Sequence, residues 1–416
     1  MRCTDTRLTV VFVESAAAMG GVQFSTLYLA QQLDSAMWQP LVVCPEEGDL
    51  TDACRDSGIA VHSLDCPKMR ATSFQIGRNF VRVPNPVNWA WDGWAILIVA
   101  RKLARLLQQL NPDVVVTKGL FSHFYGGLAA RRLGIPCVWH VQDFISERFW
   151  KLYQRFFGQV ARWIPDHVVV DGASISRQLH RTVQDRITVI HNGVDTKVFR
   201  PDVDGQGIRR ELGIPVDAMV IGHAGRITPW KGQHYLVEAF ARVATGMENI
   251  YLLLVGAPVF DSDTYLRELV KLTSKLGLNH RVKFAGYRQD MPVALAAMDI
   301  FAFTSVEKDT CPLTLLSAMS SGLPIIAFDI EGVQEVLPDG EQFLVPVGRV
   351  DALAGSIAKL LSNAALRRQL AASARGRAEA KFGLERYVSR MQRALRNTVN
   401  DSRSGSNFVS SSFLNA

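Results

Sequence analysis

The chain alternates short apolar runs with longer stretches in which apolar residues recur at helical spacing. LTVVFVE at 8–14 and PDVVVTK at 112–118 are two such runs, and the alternation continues along most of the 416 residues. Apolar strands that alternate with helices are typical of parallel sheets covered by helices on both faces. The pattern therefore predicts an α/β protein with Rossmann-like, doubly wound sheets.

A segment rich in Gly, Pro and Asp interrupts the alternation at 200–217, as a linker between domains does. We expect one Rossmann-like domain at 1–200 and a second at 201–380. A C-terminal helix at 381–398 is expected to pack back on the first domain. The polar, Ser-rich tail at 399–416 is expected to be disordered.

Composition narrows the classes of partner and the cellular location. The net charge of +7 favours anionic partners such as nucleotides and phospholipid head groups. The chain has no arginine-rich helix, zinc-ligand spacing or aromatic RNA motif, so nucleic acid is not an expected partner. No apolar run reaches the roughly 18–20 residues of a membrane span. The six cysteines are scattered, which favours a reduced, cytoplasmic location.

Residues 66–90 fit neither the strand nor the helix pattern. They interleave cations with aromatic residues, and Trp91 and Trp94 continue the aromatic cluster. Such a segment can lie on an anionic membrane surface, here the inner face of the membrane. The other interpretation is a loop that packs its aromatic residues on its own domain, and the sequence leaves both open.

The best candidate for binding an anion is the glycine-lined turn at 222–232. A predicted strand ends at Gly222, a helix is predicted at 232–244, and Arg226 and Lys231 lie between them. Backbone amides in such a turn can approach an anion, and two cations match the charge of a diphosphate. The spacing is neither GxGxxG nor that of a P-loop. A basic turn without a ligand is the plainer interpretation.

A second informative segment, DIFAFTSVEKDTCPLTLLSAMSSGLP, spans 299–324. It predicts a strand, an acidic loop with Asp309, a helix at 312–321 and another strand. Pro312 suits the first turn of this helix, whose N-terminus offers positive potential to an anion.

Taken together, these segments resemble glycosyltransferase family 4. Arg226 and Lys231 match its GR-x(4)-KG motif by residue and spacing, and Ala318-Met319 match the pair that follows its second glutamate. Further matching segments are Gly20-Gly21, 190–195, 282–286, 299–305 and 332–336.

The resemblance implies the GT-B fold, two Rossmann-like domains that face each other across a cleft. It further implies that the domain at 1–200 binds the acceptor and the domain at 201–380 binds the nucleotide sugar. It also implies a retaining, metal-independent glycosyltransferase without a cofactor, whose donor substrate is a nucleotide-diphosphate sugar. The expected acceptor is lipid-linked or a polysaccharide, as in the synthesis of cell-surface polysaccharide or glycolipid.

The same resemblance assigns the site residues. Arg226 and Lys231 would bind the donor diphosphate, and Asp309 would contact the transferred sugar. The implied donor-binding residues are Gly20, Gly21, Arg226, Lys231, Asp309, Thr310, Cys311, Pro312, Leu313 and Ser317. The candidate catalytic residues are Asp309 and His140.

The chain departs from the family pattern at several of these positions. Asp309 and Ser317 stand where the family has glutamates, and a serine makes a weaker contact to ribose hydroxyls than a carboxylate does. Gln142 occupies the usual position of a histidine, while His140 lies two residues earlier on the same strand face. Asp261-Ser262-Asp263 has the form of a DxD metal motif but precedes a predicted helix, so we expect a helix cap and no metal site.

Two other classes of function stay open on the sequence alone. One is a non-catalytic or accessory GT-B protein with a degenerate donor site, which Ser317 and Gln142 favour. The other is a sugar phosphorylase or nucleotide-sugar epimerase on a similar two-domain fold.

Overall fold

The computed structural model describes residues 7–67, 73–76, 81–84, 86–145, 152–179, 181–258, 263–337 and 343–405. The chain forms two compact units. Unit 1 comprises Met1–Ile190 and Val388–Ala416, and unit 2 comprises His191–Tyr387. No helix in the described part of the chain is both long enough and apolar enough to cross a bilayer.

Unit 1 contains a seven-stranded parallel sheet and a separate antiparallel hairpin. The strands are β1 Leu8–Glu14, β2 Trp38–Cys44, β3 Ala60–Ser63, β4 Ser73–Ile76, β5 Val81–Pro84, β6 Val114–Lys118, β7 Cys137–Val141, β8 His167–Val170 and β9 Ile187–Val189. The helices are α1 Gly21–Gln32, α2 Asp49–Asp56, α3 Pro86–Leu110, α4 Leu120–Leu133, α5 Leu152–Trp163 and α6 Ala173–Gln178, followed by a 3-10 helix at Arg181–Arg186. The sheet order is β3-β2-β1-β6-β7-β8-β9, and β4 pairs with β5.

Unit 2 contains a six-stranded parallel sheet. Its strands are β10 Met219–Ala224, β11 Ile250–Val255, β12 Val282–Gly286, β13 Ile300–Phe303, β14 Ile325–Phe328 and β15 Phe343–Val345, in the order β12-β11-β10-β13-β14-β15. Its helices are α7 Gln206–Glu211, α8 Gln233–Ala244, α9 Thr264–Lys275, α10 Met291–Ala296, α11 Leu313–Ser320, α12 Val333–Val336, α13 Val350–Ser362 and α14 Ala364–Phe382, with a 3-10 turn at Pro229–Lys231.

Both sheets reverse direction beside their first strand. In unit 1 the chain moves outward from β1 to β3 and then returns to β6 on the other side of β1. In unit 2 the return places β13 beside β10. Such a switch point, at the carboxyl ends of the two strands, is where open parallel sheets bind ligands. Full burial of the central strands, as in Val10, Val11 and Phe12, confirms sheets covered on both faces.

The connection into unit 2 differs from the expected division at 200. Residues from His191 onward already belong to unit 2, because Val194 pairs with the far end of the same unit. Its amide donates to the Phe382 carbonyl (2.8 Å), and its carbonyl accepts from the Leu384 amide (2.9 Å). The predicted linker at 200–217 contains α7 instead of a structureless connection.

The last helix, α15 Leu384–Arg403, corresponds to the helix predicted at 381–398 but begins and ends later. Residues 399–403 are helical, in contrast to the disorder expected from 399. The reason is an apolar stripe, since Met391, Leu395 and Val399 recur every turn and are buried. Arg403 also pairs with Asp113 of unit 1. Residues 406–416 lie outside the described residues.

Candidate active site

The predicted anion-binding turn of unit 2 lies at the switch point between β10 and β13. Arg226 is exposed, whereas Lys231 is half-buried at the end of the 3-10 turn. The backbone at both cations is fixed by side chains. Gln233 donates to the Arg226 carbonyl (2.8 Å), and the Thr304 hydroxyl donates to the Lys231 carbonyl (3.0 Å). The turn therefore presents two cations from a backbone tied to both strands.

A histidine that was not among the predicted site residues faces the Gln233 side chain that holds this turn. His223 is fully buried in β10, and burial lowers its pKa to about 4, so the ring is neutral at physiological pH. Its Nδ1 lies 2.9 Å from the Ala302 carbonyl and therefore carries the hydrogen. Nε2 is then the acceptor that faces the Gln233 amide nitrogen at 3.3 Å. The sequence signal for His223 was a polar residue inside the apolar run VIGHA at 220–224.

Glycine is required at Gly232, the N-cap of α8, by its backbone conformation and its surroundings. Its φ is +67°, in the left-handed region. A Cβ there would lie 2.1 Å from the Thr304 carbonyl oxygen. The glycine of the KG pair therefore allows β13 to approach the turn and keeps Lys231 next to the acidic loop.

The acidic loop brings Asp309 to Lys231. Their Oδ2 and Nζ atoms are 2.9 Å apart, and the two side chains are 25% and 14% exposed. Gly332, at φ +96°, packs against this loop so closely that a Cβ would lie 1.9 Å from the Asp309 carbonyl oxygen. Glu307, the other acid of the loop, is exposed. The geometry thus selects Asp309 as the acid that adjoins the basic turn.

The remaining donor-site candidates of unit 2 lie at the start of α11. Thr310, Cys311 and Pro312 are buried just before Leu313, the first residue of the helix. The Asn192 side chain donates to the Cys311 carbonyl (3.1 Å). The N-G-V-D segment of the sequence analysis therefore supports the loop that precedes α11.

Ser317 lies on α11 and is 9% exposed. It therefore offers little surface to a ligand in this conformation.

In unit 1, three polar residues form a row across the carboxyl ends of adjacent strands. Glu14 of β1 is in register with Lys118 of β6, and Lys118 is in register with His140 of β7. Residues in register on parallel strands project to the same face of the sheet. All three side chains are fully buried. A charged or polar residue at the end of each apolar run was the sequence signal for this row.

Side chains of α1 and of Asp171, which directly follows β8, complete a buried polar network around the row. Thr26 and Gln23 of α1 donate to the Glu14 carboxylate. The Lys118 ammonium donates to Ser25 of α1 (2.6 Å). His140 Nε2 lies 2.9 Å from Asp171 Oδ1, and Gln142 donates to Asp171 (3.1 Å) and to Ser25 (3.0 Å).

Burial dominates the protonation of this network. It raises the pKa of Glu14, against the opposing charge of Lys118. It lowers the pKa of Lys118 to about 8, although Glu14 and Asp171 oppose this shift. It also lowers the pKa of His140, and the charge of Lys118 adds to that effect. His140 is therefore neutral near pH 7.

His140, a candidate catalytic residue, is fully buried, and Gln142 is 7% exposed. The contact of His140 with Asp171 links it to Gln142, which donates to the same carboxylate. A catalytic role for His140 stays a prediction. The prediction from strand geometry that His140 and Gln142 share a face is correct, because both contact the same carboxylate.

The glycine pair of unit 1 stands at the start of α1. Gly20 precedes the helix in an extended conformation, and Gly21 is its first residue. A Cβ on Gly21 would meet no atom within 4 Å, so the pair leaves the first turn of α1 uncovered. The buried network fixes this helix through Gln23, Ser25 and Thr26, which is how unit 1 holds the pair in place.

The described residues contain no cluster of three or more His, Cys, Asp or Glu side chains that would hold a metal ion. Asp263 stands at the N-cap of α9, although its side chain makes no capping hydrogen bond. Asp261 and Ser262, the other members of the DxD-like segment, lie outside the described residues.

Family comparisons match both units. The family model for Glycosyl transferases group 1 matches residues 205–377, and that for Glycosyltransferase Family 4 matches residues 19–198. Among curated proteins, the UDP-Gal:alpha-D-GlcNAc-diphosphoundecaprenol alpha-1,3-galactosyltransferase of Escherichia coli is 24% identical over 88% of this chain and 91% of its own length. The N-acetyl-alpha-D-glucosaminyl L-malate synthase of Bacillus anthracis is 27% identical over 74% of this chain and 81% of its own length.

Solved structures agree at the level of the fold. HepE of Anabaena, in complex with UDP, superposes with a TM-score of 0.77 at 22% identity and covers 94% of this chain and 100% of its own. A glycosyltransferase from Rickettsia africae superposes with a TM-score of 0.77 at 20% identity and covers 95% of this chain and 99% of its own.

These likenesses and the two parallel sheets define the two-domain GT-B fold of glycosyltransferases. The chain belongs to glycosyltransferase family 4, and the predicted fold class and enzyme class are confirmed.

Proposed function

We propose that this glycosyltransferase moves a sugar from a nucleotide-diphosphate sugar to a lipid-linked or polysaccharide acceptor, with retention of anomeric configuration and without a metal ion. The observation that carries the proposal is the basic turn of Arg226 and Lys231 beside Asp309, at the switch point of unit 2. Cell-surface polysaccharide or glycolipid synthesis at the inner face of the membrane is the proposed setting.

The relatives support the substrate classes. The Escherichia coli relative is named for a UDP-sugar donor and a diphosphoundecaprenol acceptor, and HepE was crystallised with UDP-glucose. Unit 2 suits such a donor, because a diphosphate is bound by cations and backbone N–H donors and not by a carboxylate. Arg226 presents an exposed guanidinium, and the N-terminus of α11 adds positive potential.

In the proposed reaction, the bond between the anomeric carbon and the diphosphate oxygen breaks as the acceptor hydroxyl attacks from the same face. Negative charge then grows on the leaving diphosphate, and Arg226 and Lys231 stabilise it. The acceptor proton passes to that phosphate, so no enzymic nucleophile is required. Arg226 and Lys231 thereby supply the charge stabilisation that a metal ion supplies in other transferases.

Asp309 has two tasks in this scheme. Its Oδ2 orients Lys231, while Oδ1 accepts a hydrogen bond from a hydroxyl of the transferred sugar. An ammonium has three donors, so Lys231 can hold Asp309 and a phosphate oxygen together. The pair therefore links sugar recognition to diphosphate recognition.

A panel of nucleotide sugars, tested by thermal shift, identifies the donor. A ligand that binds only the folded protein raises its melting temperature. We expect one nucleotide sugar and its nucleoside diphosphate to raise the Tm, and labelled sugar to appear in an acceptor extract. A chain that binds no member of the panel would be the non-catalytic GT-B protein named above. Conversion of the donor without an acceptor would indicate an epimerase.

Ser317→Glu tests the contact to the ribose. A carboxylate at this position is expected to tighten binding of the nucleoside diphosphate roughly tenfold, since hydrogen bonds to charged groups are worth about 1.5–3 kcal/mol. Ser317→Gln is the matched control of similar size without charge. Equal affinities for both variants would refute the ribose assignment.

A further inference from the structure

Three helices of unit 1 form one layer on one face of the sheet. α3 packs against α4. The Phe124 ring of α4 lies 6.0 Å from the Phe156 ring of α5, in a stacked arrangement. α4 and α5 follow β6 and β7, and α3 leads into β6, so the starts of α4 and α5 and the N-terminal half of α3 lie toward the carboxyl edge of the sheet.

That edge carries exposed apolar side chains. We define the apolar tip as Trp94 and Leu97 of α3, Leu120 of α4, and Leu152 and Phe156 of α5. Trp94 is 52% exposed, Leu97 50%, Leu152 59% and Phe156 57%. Single exposed apolar residues are ordinary, but a group gathered at one end of a helical layer marks an interaction surface.

Exposed cations lie next to the apolar tip. On α3 the exposed stripe changes from Trp94 and Leu97 to Arg101 and Arg105. Arg101 lies about 10 Å farther along the helix than Trp94, at the rise of ~1.5 Å per residue of an α-helix. We define the basic collar as Arg101, Lys102, Arg105 and Arg155, all exposed.

The exposed charged side chains of this helix layer are positive. Within the described residues of α3, α4 and α5, the single acidic side chain is Asp92, which is 5% exposed and so does not offset the collar. Each Lys or Arg near an anionic leaflet gains attraction to it, and interfacial helices bury their apolar side chains about 5–10 Å deep. On α3, the spacing between Trp94 and Arg101 matches that depth.

We propose that the apolar tip and basic collar of α3, α4 and α5 dock unit 1 on an anionic phospholipid bilayer. The tip enters the interface and the collar lies at the level of the phosphates. This inference rests on the membrane setting of the proposed function and assigns it to a surface. It places the contact on helices, of which α3 begins at Pro86 within the segment at 66–90. Residues 68–72, 77–80 and 85 of that segment lie outside the described residues, so its contact with a membrane stays a separate prediction.

Vesicle co-sedimentation of the full chain tests the docking surface, without donor or acceptor. The probes are vesicles of phosphatidylcholine alone and of phosphatidylcholine mixed with phosphatidylglycerol. The wild type is expected to bind only the anionic vesicles. Trp94→Ser with Leu97→Ser is expected to weaken binding about tenfold or more, and Arg101→Gln with Arg105→Gln about tenfold, with a weaker salt dependence.

The matched control is α9 of unit 2, which has the same kinds of exposed residue. Val270→Ser with Arg267→Gln and Lys271→Gln is expected to leave vesicle binding unchanged. All substituted side chains are exposed, and nucleotide-induced thermal shifts verify that each variant is folded. The same shifts test donor binding separately, so a failure of docking is distinguishable from a failure of the proposed function.

Three outcomes would overturn the proposal. One is a wild type that ignores anionic vesicles, and another is equal weakening by the α9 control. The third is loss of binding in the collar variant but not in the tip variant. That result would indicate a surface for soluble polyanions, since it would show no contribution from insertion into a bilayer.

Discussion

Unit 1 and unit 2 both bring charged residues to the switch point of a parallel sheet, between β1 and β6 in one and between β10 and β13 in the other. In unit 1, Glu14 and Lys118 are fully buried, with partners on α1 and with Asp171 after β8 nearby. In unit 2, Lys231 and Asp309 keep part of their surface exposed. The same topological position therefore holds a closed network in one unit and an open pair in the other.

The difference indicates separate tasks for the two sets of charges. A buried pair has already replaced its water by protein groups, and it stabilises the structure only while every member stays in place. A partly exposed pair such as Lys231 and Asp309 can exchange its remaining water for a ligand. We therefore expect changes in the unit 1 network to alter folding and the position of α1. Changes in unit 2 should alter ligand affinity with little effect on the free protein.

The largest effect is expected from Lys118→Met. It leaves the Glu14 carboxylate buried without its counter-charge, which typically costs about 3–5 kcal/mol. The double variant Glu14→Gln, Lys118→Met should recover most of that loss. Hydrogen exchange of the β1 and β6 amides reports the local stability of unit 1. Equal losses in the single and double variants would show that the pair is not coupled.

Substitutions in the basic turn should separate binding from folding. Arg226→Ala and Lys231→Ala are each expected to weaken nucleoside diphosphate binding roughly ten- to hundredfold, since a charge-assisted hydrogen bond is worth about 1.5–3 kcal/mol. Calorimetric titration measures the affinity. Lys308→Ala, in the same loop as Asp309 and paired with Glu331, is the control and should bind normally. A large fall in Tm without ligand would instead place these cations in a structural role.

Asp309→Asn tests the two tasks of the carboxylate. Sugar transfer is expected to fall about 10²-fold, because a contact to the reacting sugar is lost. The affinity for the nucleoside diphosphate should be unchanged or a few-fold higher, because Lys231 is released from its partner. Glu307→Gln is the control and should change neither value. Parallel losses in transfer and in nucleotide affinity would contradict the division of labour.

The last expected effect is a pH dependence of stability. Lys118 has a pKa of about 8 in the folded protein and 10.5 as an exposed side chain. Between these values the unfolded chain binds more protons, so the stability contributed by this group rises with pH, by at most about 1.4 kcal/mol per pH unit. The Tm of the wild type should therefore rise relative to the Glu14→Gln, Lys118→Met variant between about pH 8 and 10. A constant difference would mean that Lys118 keeps its proton.

The sequence predicts the fold because its pattern is local and repeated. The apolar runs at 8–14 and 112–118 became the largely buried central strands β1 and β6, and the positions of Arg226, Lys231 and Asp309 followed from motif spacing. The network of unit 1 was not predicted, because its members are far apart in sequence and meet only through strand register. The full burial of His140 was not predicted either, since strand alternation gives the face of a residue but not what covers it.

The route of the backbone has a consequence for biosynthesis. Unit 2 is inserted between Ile190 and Val388, and Val194 bridges to Gly383 where the chain enters and leaves it. The ribosome therefore finishes unit 2 before it makes the helix that completes unit 1, including Met391 and Leu395 of its core. Nascent unit 1 must wait with part of its apolar surface uncovered, which makes it the half of the enzyme that chaperones are expected to bind.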